Sequence, residues 1–171
     1  MPRRTRIELH KEAMKFSAGY FTIFSATRRE NLHGHNFTVH VEIDGLVSDN
    51  GMTFDYGGCK KLLIDTCHAL NEVVLLPARS PHLAIDEADG QVVARFADER
   101  MVFLKRDVKL LPVRNVTCEE LAGYLLAGVV ETMTAESEHA VNRVVVKVSS
   151  GPGQSASAEW TSAPALMTVL E

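Results

Sequence analysis

Asn31-Leu32-His33-Gly34-His35-Asn36-Phe37-Thr38-Val39-His40-Val41-Glu42-Ile43 reads as one β-strand with two histidines at its entrance. Apolar side chains fall at Phe37, Val39, Val41 and Ile43, and polar ones at Asn36, Thr38, His40 and Glu42. Successive side chains in a strand point to opposite faces, so His33 and His35 continue the face that carries the core. Imidazoles two residues apart on one strand can reach a single metal ion, or they can pack and hydrogen-bond without one. Both readings are open from this stretch alone.

Working outward, a chain of 171 residues with 46% hydrophobic content has room for a single domain, 1–171, with a real core. A net charge of −4 gives no electrostatic case for nucleic acid or an anionic membrane, which favours small-molecule or protein partners. No apolar run approaches a membrane span, and the Met-Pro-Arg-Arg-Thr-Arg start leads into a strand pattern, so the expected location is cytoplasmic. Cys59, Cys67 and Cys118 form no Cys-x-x-Cys pair and are odd in number, so reduced thiols are expected.

Before the histidines, Ile7 and Leu9 fall on one parity and Met14, Phe16, Ala18 and Tyr20 on the other. That switch predicts a long strand broken near Lys11 to Ala13, antiparallel to the His33 strand, with Tyr20 and the histidines at the same end. Phe21 to Asn31 has no clear period and predicts a loop. After an Asp49-Asn50-Gly51 turn, Cys59, Leu62, Leu63, Cys67 and Leu70 make the stripe of an amphipathic helix, which Asn71 to Pro77 should end. Segments around Leu83–Ile85, Val92–Phe96 and Met101–Leu104 predict a hairpin or small meander inserted at about 82–111. Thr117 and Glu120 form a capping box opening a second helix, with Leu121, Tyr124, Leu125, Val129 and Met133 inward. Val144, Val146 and Val148 mark another strand, and Ala156 to Val169 a last one. The order predicts an α+β fold, helices on one face of an antiparallel sheet.

Five ordered blocks carry a resemblance: Phe16-Ser17-Ala18, His33-Gly34-His35-Asn36-Phe37, Gly51-Met52-Thr53-Phe54-Asp55-Tyr56, Asn115-Val116-Thr117-Cys118-Glu119-Glu120-Leu121-Ala122 and Pro152-Gly153-Gln154-Ser155-Ala156. Together they resemble the 6-pyruvoyl-tetrahydropterin and 6-carboxytetrahydropterin synthases across almost the whole chain. The resemblance implies the T-fold, a four-stranded antiparallel sheet with two helices, assembled into homo-oligomeric rings with sites between subunits. It also implies a zinc held by three His, a Cys base assisted by an Asp-His pair, a Glu that grips a pterin ring, and dihydroneopterin triphosphate as substrate.

Carried over residue by residue, the resemblance places His33 and His35 as two metal ligands and Tyr20 where the third His belongs. A phenol ionises near pH 10 and is a poor zinc ligand at neutral pH. The loop before His33 has no Cys; Glu30 is the acid within it. The Asp-His pair falls on Asn71 and Glu72, or, in a rival alignment, on Thr66 and Cys67 with Asp65 and His68 each one residue off. The ring-gripping Glu falls on Ser150, while Glu119 matches the acid of the helix-opening block and is equally a helix-start carboxylate favoured by the macrodipole. The expectation is a relative that keeps the scaffold, has set the synthase reaction aside, and binds a pterin-like or other small ligand through Tyr20, His33, His35, Asn71, Glu72, Glu119 and Ser150. An active zinc lyase with substituted residues, and a non-catalytic subunit joined to an active homologue, are the alternatives.

Overall fold

The computed structural model describes residues 3–136 and 141–162. The chain runs β1 (Arg3–Leu9), β2 (Lys15–Tyr20), β3 (Ile23–Ser25), β4 (Arg28–Arg29), β5 (His33–Val47) and α1 (Gly57–Leu70). It continues through β6 (Val73–Pro77), β7 (Ala84–Ala88), β8 (Gln91–Phe96), β9 (Glu99–Leu104) and β10 (Val108–Leu111) to α2 (Cys118–Glu136), β11 (Val141–Gly151) and β12 (Gln154–Thr161). The arrangement is the expected α+β T-fold, elaborated with extra strands.

β5 is the spine. Its first half pairs antiparallel with β2, its second half pairs with β1 on the same side, and β11 lines its other flank. The break between β1 and β2 falls at Lys11 to Ala13, where the backbone turns back so that Met14 N–H reaches the Lys11 carbonyl at 2.8 Å. Beneath this sheet Phe16, Phe37, Val39, Val41, Ile43, Val144, Val146 and Val148 meet Cys59, Leu63, Cys67 and Leu70 of α1 and Leu121, Leu125, Val129 and Met133 of α2 in one buried cluster. Both helical stripes are therefore as their spacing implies. Each large aliphatic side chain buried there contributes about 1.5–3 kcal/mol.

Three expectations need correction. Among the described residues the sheet has seven strands in the order β10-β6-β2-β5-β11-β12, with β1 beside β5, and it is mixed, because β6 runs parallel to both β2 and β10. Asn71 to Pro77 does more than end α1, since residues 73–77 are a strand; Leu75 faces the main cluster and Leu76 a second one, so no alternation marks it. The segment from Phe21 to Asn31 contains the short β3-β4 ribbon rather than a plain loop.

The insertion is a three-stranded meander, β7-β8-β9, whose exit strand β10 returns to the main sheet. Its apolar face packs Leu83, Val92, Ala94 and Phe96 against Phe21, Ile23 and Leu76 as a smaller, separate cluster. At α2 only half of the expected capping box forms: Thr117 Oγ1 accepts from Glu120 N–H at 3.3 Å, but the Glu120 carboxylate accepts from Arg114 N–H at 2.9 Å. The last strand ends at Thr161, and the expected continuation to Val169 lies outside the described residues.

Candidate functional site

Tyr20, the last residue of β2, stands opposite His33, the first of β5, and Ala18 stands opposite His35. A glycine between the histidines suits the tight ladder, since a Cβ at Gly34 would lie 3.2 Å from the Ala18 carbonyl oxygen. The Tyr20 hydroxyl is 2.9 Å from His35 Nδ1, and its ring centroid is 4.6 Å from that of His33. Burial pushes the Tyr20 phenol up to about 12, with the charges of Glu30 and Cys118 adding to the rise, so it stays protonated at neutral pH.

The Asn31 carbonyl, 2.9 Å from His33 Nδ1, must accept, which puts a proton on Nδ1, so that in the neutral ring Nε2 carries the lone pair. That Nε2 is 3.8 Å from Glu30 Oε2, itself held by Thr22 N–H at 3.0 Å. Arg29 fixes the loop: it donates to the Glu30 carbonyl at 2.7 Å, pairs with Glu99 of the meander, and lies over the rings of Phe21 and Phe96 at 4.9 and 5.9 Å. The insertion thus sets where Glu30 stands.

Asn71 and Glu72 dock on β2. Asn71 Oδ1 accepts from Ser17 N–H at 2.8 Å, and Glu72 N–H donates to the Ser17 carbonyl at 2.7 Å. Asn71 is therefore committed to holding the backbone. Glu72 has φ of 59°, a left-handed conformation that a residue with a side chain adopts at a cost of about 1 kcal/mol or more. Its side chain lines a cleft of about 1030 Å³ together with Ser17, His35, Asn36, Asp107 and Ser150. Ser150 is buried on the Val144, Val146 and Val148 face, as its parity implies. Glu119 is not brought to this cleft within the chain; it lines a second one beside Arg79 and Tyr124.

Two members of the site escape a sequence reading. Asp107 reaches the cleft from the short 3-10 turn Lys105–Asp107, and Cys118 comes to Tyr20 from the start of α2. Both arrive through long-range packing; Cys118 stands in one of the blocks that carry the resemblance, but nothing local to either residue marks it as part of this site. The cleft's charged lining residues are the carboxylates Glu72 and Asp107, with no Lys or Arg among the described residues that line it.

A zinc centre of the kind implied by the resemblance does not fit these residues. Tyr20 is held protonated and bonded to His35. Among the described residues, the His, Cys, Asp and Glu set whose ligand atoms lie within 4.8 Å of one another is Glu8, His10 and His40, away from His33 and His35. The Tyr20–His35 pair can hold and pass a proton, and His33 Nε2 beside Glu30 can accept one.

The family model described as 6-pyruvoyl tetrahydropterin synthase matches residues 8–160. A Methanocaldococcus jannaschii protein provisionally named a 6-carboxy-5,6,7,8-tetrahydropterin synthase is 24% identical over 144 residues, 84% of this chain and 88% of that one. The crystal structure of Plasmodium vivax 6-pyruvoyl tetrahydropterin synthase is 26% identical, with a TM-score of 0.85 over 93% of this chain and 99% of its own. The same protein solved as a catalytic residue mutant, glutamate replaced by cysteine, is 25% identical, with a TM-score of 0.85 over 93% of this chain and 99% of its own.

Proposed function

Because the chain belongs to the 6-pyruvoyl tetrahydropterin synthase family, we propose that it binds a small pterin-like heterocycle in the cleft beside His35, without the family's zinc-dependent synthase chemistry. The observation that carries this reading is the Tyr20–His35 hydrogen bond, which puts a protonated phenol where a third imidazole ligand belongs. At about 1030 Å³ the cleft stands at the upper end of small-molecule sites, which span about 300–1,000 Å³, and has room for a bicyclic ligand. Its lining argues against a triphosphate, which would meet Glu72 and Asp107 with no Lys or Arg among the described residues that line the cleft. The carboxylates Glu72 and Asp107 favour a neutral or cationic ring, while Ser150 offers one hydroxyl where a carboxylate would accept two N–H bonds. Among the described residues the outer strands β10 and β12 leave sheet edges unpaired, which supports a ring-forming homo-oligomer.

The test is mass spectrometry of small molecules released from the purified protein, with turnover of dihydroneopterin triphosphate assayed with and without zinc. A retained uncharged or cationic heterocycle and no turnover support the proposal; zinc-dependent turnover overturns it. A second reading, an active lyase, has one observation in its favour. Glu30 stands in the loop before the histidines, 3.8 Å from His33, and the P. vivax relative has a glutamate as a catalytic residue. Turnover abolished by Glu30→Gln would establish that reading.

A further inference from the structure

The polar residues of β5 that alternate with its core residues face away from both helices. On that face β1 brings a second imidazole and a carboxylate to the strand. Glu8 pairs with Glu42 and Leu9 with Val41, so His10, the next residue, comes opposite His40. The two imidazole centroids are 5.2 Å apart. His40 Nε2 is 3.6 Å from Glu8 Oε2, and a ligand atom from each of Glu8, His10 and His40 falls within 4.8 Å of the others.

His40 Nε2 is inaccessible to solvent and has no hydrogen-bond partner, although the side chain as a whole is 28% exposed. A buried imidazole nitrogen without a partner is costly. The 3.6 Å gap to Glu8 exceeds hydrogen-bond length, yet it is close to the spacing of two ligands on one tetrahedral ion, about 3.4 Å for bonds of about 2.0–2.1 Å. An ion bound there would satisfy the nitrogen.

We propose that Glu8, His10 and His40 form a site for a zinc-class divalent transition metal on the open face of the sheet, with water in the fourth position. Two neutral imidazoles and one carboxylate are ligands that such ions accept, whereas calcium and magnesium prefer oxygen alone. The site is separate from His33 and His35, which lie on the opposite face near the start of β5. Of the neighbouring charges on this face, Lys147 pairs with His40 in the ladder and is exposed, and Glu42 is engaged by Arg6 at 3.1 Å. A bound ion would pin the residue after β1 to the middle of β5.

The experiment titrates the full chain with Co²⁺ alone, read by visible d–d absorption and calorimetry, and with Zn²⁺ alone, read by the shift in Tm. Four proteins are compared: the unsubstituted chain, His40→Gln, Glu8→Gln, and His33→Ala combined with His35→Ala. One equivalent should bind, the affinity should fall more than about tenfold in His40→Gln and Glu8→Gln, and the double variant should bind unchanged. Circular dichroism and metal-free Tm verify that the single variants fold, which these positions facing away from the core should allow. No saturable binding, or binding lost in the double variant and kept in His40→Gln, overturns the proposal.

Discussion

The Tyr20 hydroxyl lies 2.9 Å from His35 Nδ1, at the place where the resemblance calls for a metal ligand. Tyr20→Phe removes this bond and frees the imidazole to rotate. The expected loss is about 0.5–1.5 kcal/mol in denaturant unfolding, with weaker retention of the cleft's ligand. Tyr20→His should instead raise zinc affinity at His33 and His35, measured by calorimetry in a His40→Gln background.

The Tyr20 phenol is raised from 10.0 to about 12, mainly by burial. A group that holds its proton more tightly when folded stabilises the fold below its unfolded value, and that contribution disappears as pH rises through the folded one. Stability should therefore fall between about pH 10 and pH 12, less steeply in Tyr20→Phe. Ultraviolet titration should show a phenol ionising near pH 12 that is absent in Tyr20→Phe.

Cys59 and Cys67 are buried, with the Cys67 thiol pushed up to about 11 by burial, whereas Cys118 is partly exposed beside Tyr20. Thiolate and access together set alkylation rates. Mass mapping of the native protein should find Cys118 modified first. Cys118→Ser should leave the remaining thiols protected until unfolding.

Asp44 sits below the usual carboxylate range because Arg6 donates to it at 2.6 and 2.9 Å, with Arg143 assisting at 3.2 Å. Glu159 is likewise lowered by Arg143. A depressed folded value means stability present above the unfolded value and lost as pH falls through the folded one. The acid limb of the unfolding profile should begin below about pH 4, and Asp44→Asn should flatten it. Added salt should shrink the difference, since these groups are close to solvent.

Arg29→Ala should cost about 1–3 kcal/mol, because the side chain bridges Phe21, Phe96, Glu99 and the Glu30 carbonyl. Glu99→Gln should cost under about 1 kcal/mol, as Glu99 is half exposed. Hydrogen exchange at the Thr22 and Glu30 amides reports the loosening.

The pairing of β2 with β5 is legible because one face of each strand is buried and alternation reveals parity, and the same alternation in β11 reaches the buried Ser150. β6 was not, because its two faces enter different clusters through Leu75 and Leu76 and its residues read as an unbroken apolar run. Tyr20, His33 and His35 could be grouped from the antiparallel pairing alone. Asp107 and Cys118 reach the site only through the insertion's return and the docking of α2. Asn71 showed its position but not its role, since its side chain is spent on the Ser17 amide. Glu8 and His10 are two residues apart, but His40 joins them only through the register of β1 and β5, with 29 residues between His10 and His40.

The described residues form two apolar clusters, and the site straddles them. His33 and His35 extend from the larger one, while Glu30 hangs on the ribbon and meander built over the smaller one. The two should form different cooperative units, the smaller opening at a lower free energy. Exchange of the meander amides would then outpace that of β5 and β11 without global unfolding. In such an opened form the histidines keep their alignment and Glu30 leaves it, so proton acceptance beside His33 depends on an equilibrium that the insertion governs.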